Sequence, residues 1–258
     1  MLPAARLRER LARRELTTGV LATQHVWPEL VEVCQRAGLD YLIIDAEHGV
    51  ASPELIAEVC ALGRHLNFPV LLRPNNNEYA TLRLGIDLGP CGFLLACVES
   101  SQQLDVVQKS IYLPPRGQRR PGGAGNRWVA NYRYEAWKTE IEDHFLVLPQ
   151  IETRVGLSNV ADIAGHPVTT ALAMGPYDLS AELGVCGIMD APELNSAIAE
   201  CRQAATAAGK ELWMIGNAPQ LASEGLRFLC VGEPTWMLEA AIRQTVENTR
   251  KQASDSTG

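Results

Sequence analysis

Eight short apolar runs punctuate the chain, with amphipathic segments between them. They are Gly19–Thr23, Tyr41–Asp45, Val70–Arg73, Gly92–Ala96, Phe145–Ile151, Thr170–Met174, Glu211–Gly216 and Phe228–Val231. The runs are continuous rather than alternating, the pattern of strands buried on both faces of a parallel sheet. The intervening helices carry start and stop signals. Ser52-Pro53-Glu54 is a cap followed by a first-turn proline and predicts a helix to about His65. Pro28–Ala37 ends at Gly38, and Ala191–Ala208 ends at Gly209. The first residues, with Glu9 and Glu15 among several arginines, read as an amphipathic helix rather than a transit peptide.

Eight strand–helix units predict a (β/α)8 TIM barrel spanning residues 1–251, with 252–258 a disordered tail. An open doubly wound sheet is the alternative, but the first strand carries no dinucleotide-binding glycine fingerprint. The irregular stretch is Leu113–Arg127, rich in Pro, Gly and Arg; it reads either as a solvated loop or as one that covers substrate.

Composition narrows the setting. With 258 residues, 47% apolar and 21% charged, the chain has the make-up of a water-soluble globular protein. A net charge of −7 argues against nucleic acid or an anionic membrane as partner. No apolar run approaches the roughly 20 residues needed to span a bilayer. The seven cysteines are scattered, odd in number and without a C-x-x-C pair, which suits a reducing, cytoplasmic setting and neither a disulfide framework nor a zinc site.

Polar residues gather at the carboxyl ends of the predicted strands, where barrels of this kind build active sites. Asp45, Glu47 and His48 follow the second strand, Arg73 ends the third, Gln150 and Glu152 end the fifth, and Asp178 follows the sixth. Each has a plain structural reading: His48 as a helix cap, Arg73 as an ion-pair partner, Asp45 as an acceptor for loop amides. Together they suggest a face that holds an anion and a metal. Glu152 and Asp178 on neighbouring strands make a hard-oxygen pair suited to Mg²⁺ or Mn²⁺. The four lysines (109, 138, 210, 251) all lie away from the carboxyl strand ends, which disfavours Schiff-base chemistry. A carbanion beside a carbonyl would then need a metal to hold its charge.

The segments YLIIDAEHG, VLLRP, GIDLG, FLLACVES, VLPQIET and MGPYDLSAELG, in that order, resemble the HpcH/HpaI aldolase family over about Gly19–Ile242. Members are class II pyruvate aldolases, lyases of 2-oxo acid catabolism with a phosphoenolpyruvate/pyruvate-type barrel. The resemblance implies reversible cleavage of a 4-hydroxy-2-oxo (2-keto-3-deoxy type) acid to pyruvate and an aldehyde, through an enolate stabilised by Mg²⁺, Mn²⁺ or Co²⁺. It makes Glu152 and Asp178 the metal ligands and Arg73 the holder of the pyruvate carboxylate or enolate oxygen. Gln150, Gly175, Pro176 and Tyr177 line the substrate, and His48, oriented by Asp87, serves as acid/base for the aldol hydroxyl. Asp45 and Glu47 support these groups from behind, Asp45 by ordering metal-bound water. It also implies that Thr235–Lys251 is exchanged between protomers, giving dimers that assemble into a hexamer.

The chain departs from the family pattern at several places. Tyr177 stands where a small residue is usual, Ala96 replaces a proline, the loop after Pro115 is altered, and Glu233-Pro234 follows the last strand. These leave the pyruvate half intact and the aldehyde half open. Two other readings share the same residues: a condensing enzyme of citrate-synthase type using oxaloacetate, and a catalytically lapsed barrel kept for binding.

Overall fold

The computed structural model describes residues 1–120, 128 and 133–255. Its eight strands are β1 (Thr17–Ala22), β2 (Tyr41–Asp45), β3 (Val70–Arg73), β4 (Gly92–Leu95), β5 (Leu146–Ile151), β6 (Leu172–Met174), β7 (Leu212–Ile215) and β8 (Phe228–Cys230). All neighbouring pairs are parallel, and β1 closes on β8 through Thr17↔Phe228 and Gly19↔Cys230. The fold is a closed (β/α)8 barrel; that pairing removes the open-sheet alternative. Every residue of β2 and β5 is buried, which accounts for their unbroken apolar character.

The amino-terminal end of the barrel is plugged. Helix α1 (Leu2–Ala12) buries Ala4, Leu7 and Leu11. Its Arg8 donates to the Phe145 carbonyl (3.2 Å) and to Thr170 Oγ1 (2.8 Å), beneath the starts of β5 and β6. Inside the barrel, the Tyr41 hydroxyl accepts from Trp213 Nε1 (2.7 Å) and donates to the Leu229 carbonyl (2.7 Å). Gly19 makes room for that ring: a Cβ there would lie 2.4 Å from it.

Helices α2 (Leu30–Arg36), α3 (Pro53–His65), α4 (Tyr79–Asp87) and α5 (Ser101–Ile111) return each chain segment to the amino-terminal end. Ser52 caps α3 as its sequence predicts, accepting from the Leu55 amide at 3.3 Å. Between α5 and β5 lie α6 (Tyr134–Trp137) and a π-turn, Lys138–Glu142. The described part of the 113–127 stretch belongs to this connection. Arg119 is buried there, bonded to Asp87 (2.6 Å) and stacked on Trp137 (4.6 Å). Within its own chain it sits beneath the barrel, away from that chain's carboxyl strand ends; 121–127 lie outside the described residues.

The remaining helices are α7 (Arg154–Ser158), α8 (Val160–Gly165), α9 (Pro176–Glu182), α10 (Pro192–Ala207), α11 (Ala218–Ser223) and α12 (Pro234–Asp255). Helix α12 extends to Asp255, into the stretch expected to be a disordered tail, because no Gly or Pro lies between Pro234 and Asp255 to stop it. It buries no residue, although Trp236, Leu238, Ile242 and Val246 are large and apolar. No helix among the described residues is long and apolar enough to cross a membrane.

Candidate active site

Strand register assembles the first part of the site. Asp45 and Arg73 end adjacent strands and are register partners. Their side chains meet in a bidentate pair, Nε–Oδ1 at 2.8 Å and Nη2–Oδ2 at 2.6 Å. Asp45 is fully buried and Arg73 is 7% exposed. Thr23, one residue past β1, donates to Asp45 Oδ2 (2.8 Å), and the Glu47 and His48 amides donate to Oδ1 (2.9 and 3.3 Å). Burial pushes the Asp45 carboxyl up, but the guanidinium and the other donors outweigh it and hold it below the ordinary range. Arg73 gains in return and is held above its usual value against the cost of burial. The two plain readings of Asp45 and Arg73 are therefore both realised, and they leave Arg73 Nη1 directed at Glu47 (3.2 Å). The side chain of His48 is 64% exposed, with Nε2 3.8 Å from Glu47.

The second part comes from β5 and the β6–α9 turn. Glu152, 5% exposed, follows β5 directly. It accepts from the Cys97 amide (2.6 Å) and from the Gln150 side-chain amide. Gly175 lets the next turn pass against this carboxylate, since a Cβ would fall 2.5 Å from Glu152 Oε2 and 2.6 Å from Gln150 Nε2. Pro176 then opens α9, placing Asp178 in its first turn, with Tyr177 exposed beside it. Glu152 is pushed above the ordinary carboxyl range, first by burial and then by the charges of Glu47 and Asp178. Glu47 is raised in the same sense, by burial first.

Asp45, Glu47 and Glu152 thus act on one guanidinium, and Asp178 adds a further negative charge beside Glu47 and Glu152. Among the described residues no cation forms an ion pair with Glu152 or Asp178. Gln150 Oε1 is buried there without a partner. A divalent cation fits this donor set: hard oxygens, excess negative charge and an unused amide oxygen. No group of three or more His, Cys, Asp or Glu among the described residues forms a ready metal cluster. Glu152 and Asp178 are the carboxylates here without a cationic partner among the described residues, and would be the ones to meet such an ion.

The structure brings together Asp45, Glu47, His48, Arg73, Gln150, Glu152, Gly175, Pro176, Tyr177 and Asp178 at one end of the barrel. Asp87 is not among them. It ends α4 at the amino-terminal side, bonded to Arg119, with the Trp128 indole on the neighbouring Gly89 carbonyl (3.2 Å). Within one chain, His48 and Asp87 are at opposite ends of the barrel. Two contributors escaped the sequence reading. Thr23 is given away only by the β1–β2 register, which carries Ala22↔Ile44 on to the next pair. Cys97, at φ 51°, follows β4, whose Leu95 pairs with Pro149. Burial and then the neighbouring carboxylates push its thiol up to about 12, so it stays protonated.

Residues 23–232 match the model of the HpcH/HpaI aldolase/citrate lyase family. The chain belongs to this family. It is 30% identical over 223 residues to a hydroxypyruvate/pyruvate aldolase of Chromohalobacter salexigens, covering 83% of this chain and 86% of that one. It is 27% identical over 242 residues to a 2-keto-3-deoxy-L-rhamnonate aldolase of Shigella boydii, covering 92% and 90%. The crystal structure of an HpcH/HpaI aldolase from Desulfitobacterium hafniense superposes with a TM-score of 0.87 at 22% identity, covering 95% and 96%, which speaks to the fold. The chain is a carbon–carbon lyase.

Proposed function

We propose that the protein catalyses reversible, divalent-metal-dependent cleavage of a 4-hydroxy-2-oxo acid into pyruvate and an aldehyde. The observation that carries this reading is the charge balance of the site. An anionic 2-oxo acid would be repelled by Glu47, Glu152 and Asp178, since Arg73 is already paired with Asp45. With a divalent cation on Glu152 and Asp178, the same face attracts it. When bound, the cation supplies Lewis acidity to the 2-oxo group.

The chain's own groups then have defined tasks. Arg73, held rigid by Asp45, orients the substrate carboxylate and stabilises charge developing on the adjoining oxygen. Gln150 fixes the same end through its amide. His48 takes the proton of the 4-hydroxyl as the C3–C4 bond breaks. The bonding pair passes to C3, and protonation there completes pyruvate. Pyruvate release from a panel of 4-hydroxy-2-oxo acids, with and without chelator, tests this. Pyruvate from none of them, or release that survives exhaustive chelation, would refute it.

The assembly we propose follows from α12 and Asp87. The unburied apolar side chains of α12 fit against a second copy of the chain, as expected of an exchanged helix, in dimers that build a hexamer. Orientation of His48 by Asp87 likewise needs Asp87 from another copy. Oligomers formed from mixed His48→Ala and Asp87→Ala chains then regain activity that neither homo-oligomer has. No regain in verified mixed oligomers would exclude the shared site.

A further inference from the structure

Cys97 stands at φ 51°, a left-handed conformation that is unfavourable for a residue with a side chain and persists only where its surroundings enforce it. Here both sides of one peptide bond are held. The bond joining Ala96 to Cys97 presents its carbonyl to Asn77, whose Nδ2 donates at 2.6 Å, and its amide to Glu152 Oε1, also at 2.6 Å. We propose that Asn77 is a positioning residue of the metal site: by gripping the Ala96 carbonyl it keeps the Cys97 amide turned to Glu152, and so sets the affinity of the site for its cation. The proposal rests on the reading of Glu152 as a metal ligand and adds a residue that acts on it through the backbone.

Turning this peptide over is the movement that Asn77 resists. A half-turn would return Cys97 to the ordinary extended region and relieve its backbone. It would also take the amide away from Glu152 and set the Ala96 carbonyl oxygen against the carboxylate. The relaxed backbone and the oriented carboxylate are therefore alternatives. Asn77 favours the second.

The rest of the β4–α5 turn is fixed by other groups. The Val98 amide donates to the Gln150 carbonyl (3.2 Å), the Asn159 side chain donates to the Glu99 carbonyl (2.8 Å), and Gln103 Oε1 accepts from the Glu99 and Ser100 amides (2.7 and 3.2 Å). These bonds hold the chain from Val98 onwards, and none of them reaches the Ala96–Cys97 peptide. Asn77 comes instead from the β3–α4 loop, the connection that begins at Arg73. Asn76 Oδ1 accepts from the Glu78 amide (3.0 Å), which fixes that loop around Asn77.

Orientation matters for this carboxylate. Glu152 Oε2 accepts from the Gln150 side-chain amide and Oε1 from Cys97, so a donor on each oxygen opposes its rotation. Each oxygen keeps a lone pair for a cation. Partners that hydrogen-bond to a metal-binding side chain govern metal affinity by about ten- to a hundredfold.

The test is Mn²⁺ binding, read from the electron paramagnetic resonance signal of the free ion, with the melting temperature of the metal-free protein to verify folding. Asn77→Leu keeps most of the bulk and loses the donor; its Mn²⁺ dissociation constant should rise about tenfold or more. In a Cys97→Gly background the same substitution should weaken binding by less than about threefold, because glycine takes a positive φ freely and leaves the peptide where it is. A role for Asn77 in general packing alone would move both backgrounds alike. If Asn77→Leu fails to fold, Asn77→Ala is measured with the same expectations. Wild-type affinity in a folded Asn77 variant, or equal losses in the two backgrounds, overturns the proposal and leaves Glu152 as a ligand. Wild-type Mn²⁺ affinity in Glu152→Gln, or no Mn²⁺ binding by the wild-type protein, overturns the ligand reading and the proposal with it.

Discussion

Replacing Asp45 by Asn tests the pair on which the site is built. The wild-type carboxylate accepts two bonds from a guanidinium only 7% exposed, at 2.8 and 2.6 Å, together with Thr23 and two loop amides. Asparagine keeps one oxygen and turns an NH₂ towards a neighbour that can only donate. Arg73 loses one charge-assisted bond and its fully buried counter-charge, at a cost of about 3 kcal/mol in stability. Urea unfolding of Asp45→Asn, Arg73→Met and the double variant isolates the coupling, expected at about 2 kcal/mol or more. A coupling below about 0.5 kcal/mol would refute the argument. The pH dependence has a definite sign. Asp45 is held below its unfolded value, so its contribution is complete above about pH 4 and disappears as the pH falls through its lower folded value. The gap between wild type and Asp45→Asn should therefore narrow in acid; a gap that widens would contradict the pairing.

Saturating Mg²⁺ or Mn²⁺ should raise the melting temperature, with stabilisation of about 2.7 kcal/mol at a hundredfold excess over Kd. Glu152→Gln or Asp178→Asn should remove that rise, and titration calorimetry should show the loss of binding. His48→Ala should lower aldol cleavage by at least about a hundredfold while metal affinity and methyl exchange persist; loss of metal in a folded His48→Ala would overturn its role. Leu238→Glu with Ile242→Glu, on the unburied face of α12, should dissociate the assembly as followed by light scattering, and an unchanged mass would exclude that face as an interface.

The barrel was legible because its strands are buried on both faces, so each appears as an unbroken apolar run bounded by turn residues. Residues at carboxyl strand ends were legible for the same reason: a polar residue closing such a run is conspicuous. Contacts set by register were not. Asp45 and Arg73 stand out singly, but their bond depends on β2 and β3 aligning them, and Thr23 enters only through the β1–β2 alignment. Cys97 resembles any cysteine in an apolar run until β4 pairs with β5. Asp87 shows a different limit. It closes a helix that returns to the amino-terminal end, so no alignment within one chain brings it to His48. Helix α12 outran its expected end because a polar composition alone does not stop a helix.

We propose that Glu152 and Asp178 hold a cation against which pyruvate forms its enolate. Deuterium exchange at the pyruvate methyl, followed by NMR without any aldehyde, tests it most directly. Exchange is expected in the metal-loaded enzyme, with its loss on chelation and recovery on adding Mg²⁺ or Mn²⁺, and none in Glu152→Gln at any metal concentration. Exchange that survives exhaustive chelation, or pyruvate trapped on the protein by borohydride, would contradict it.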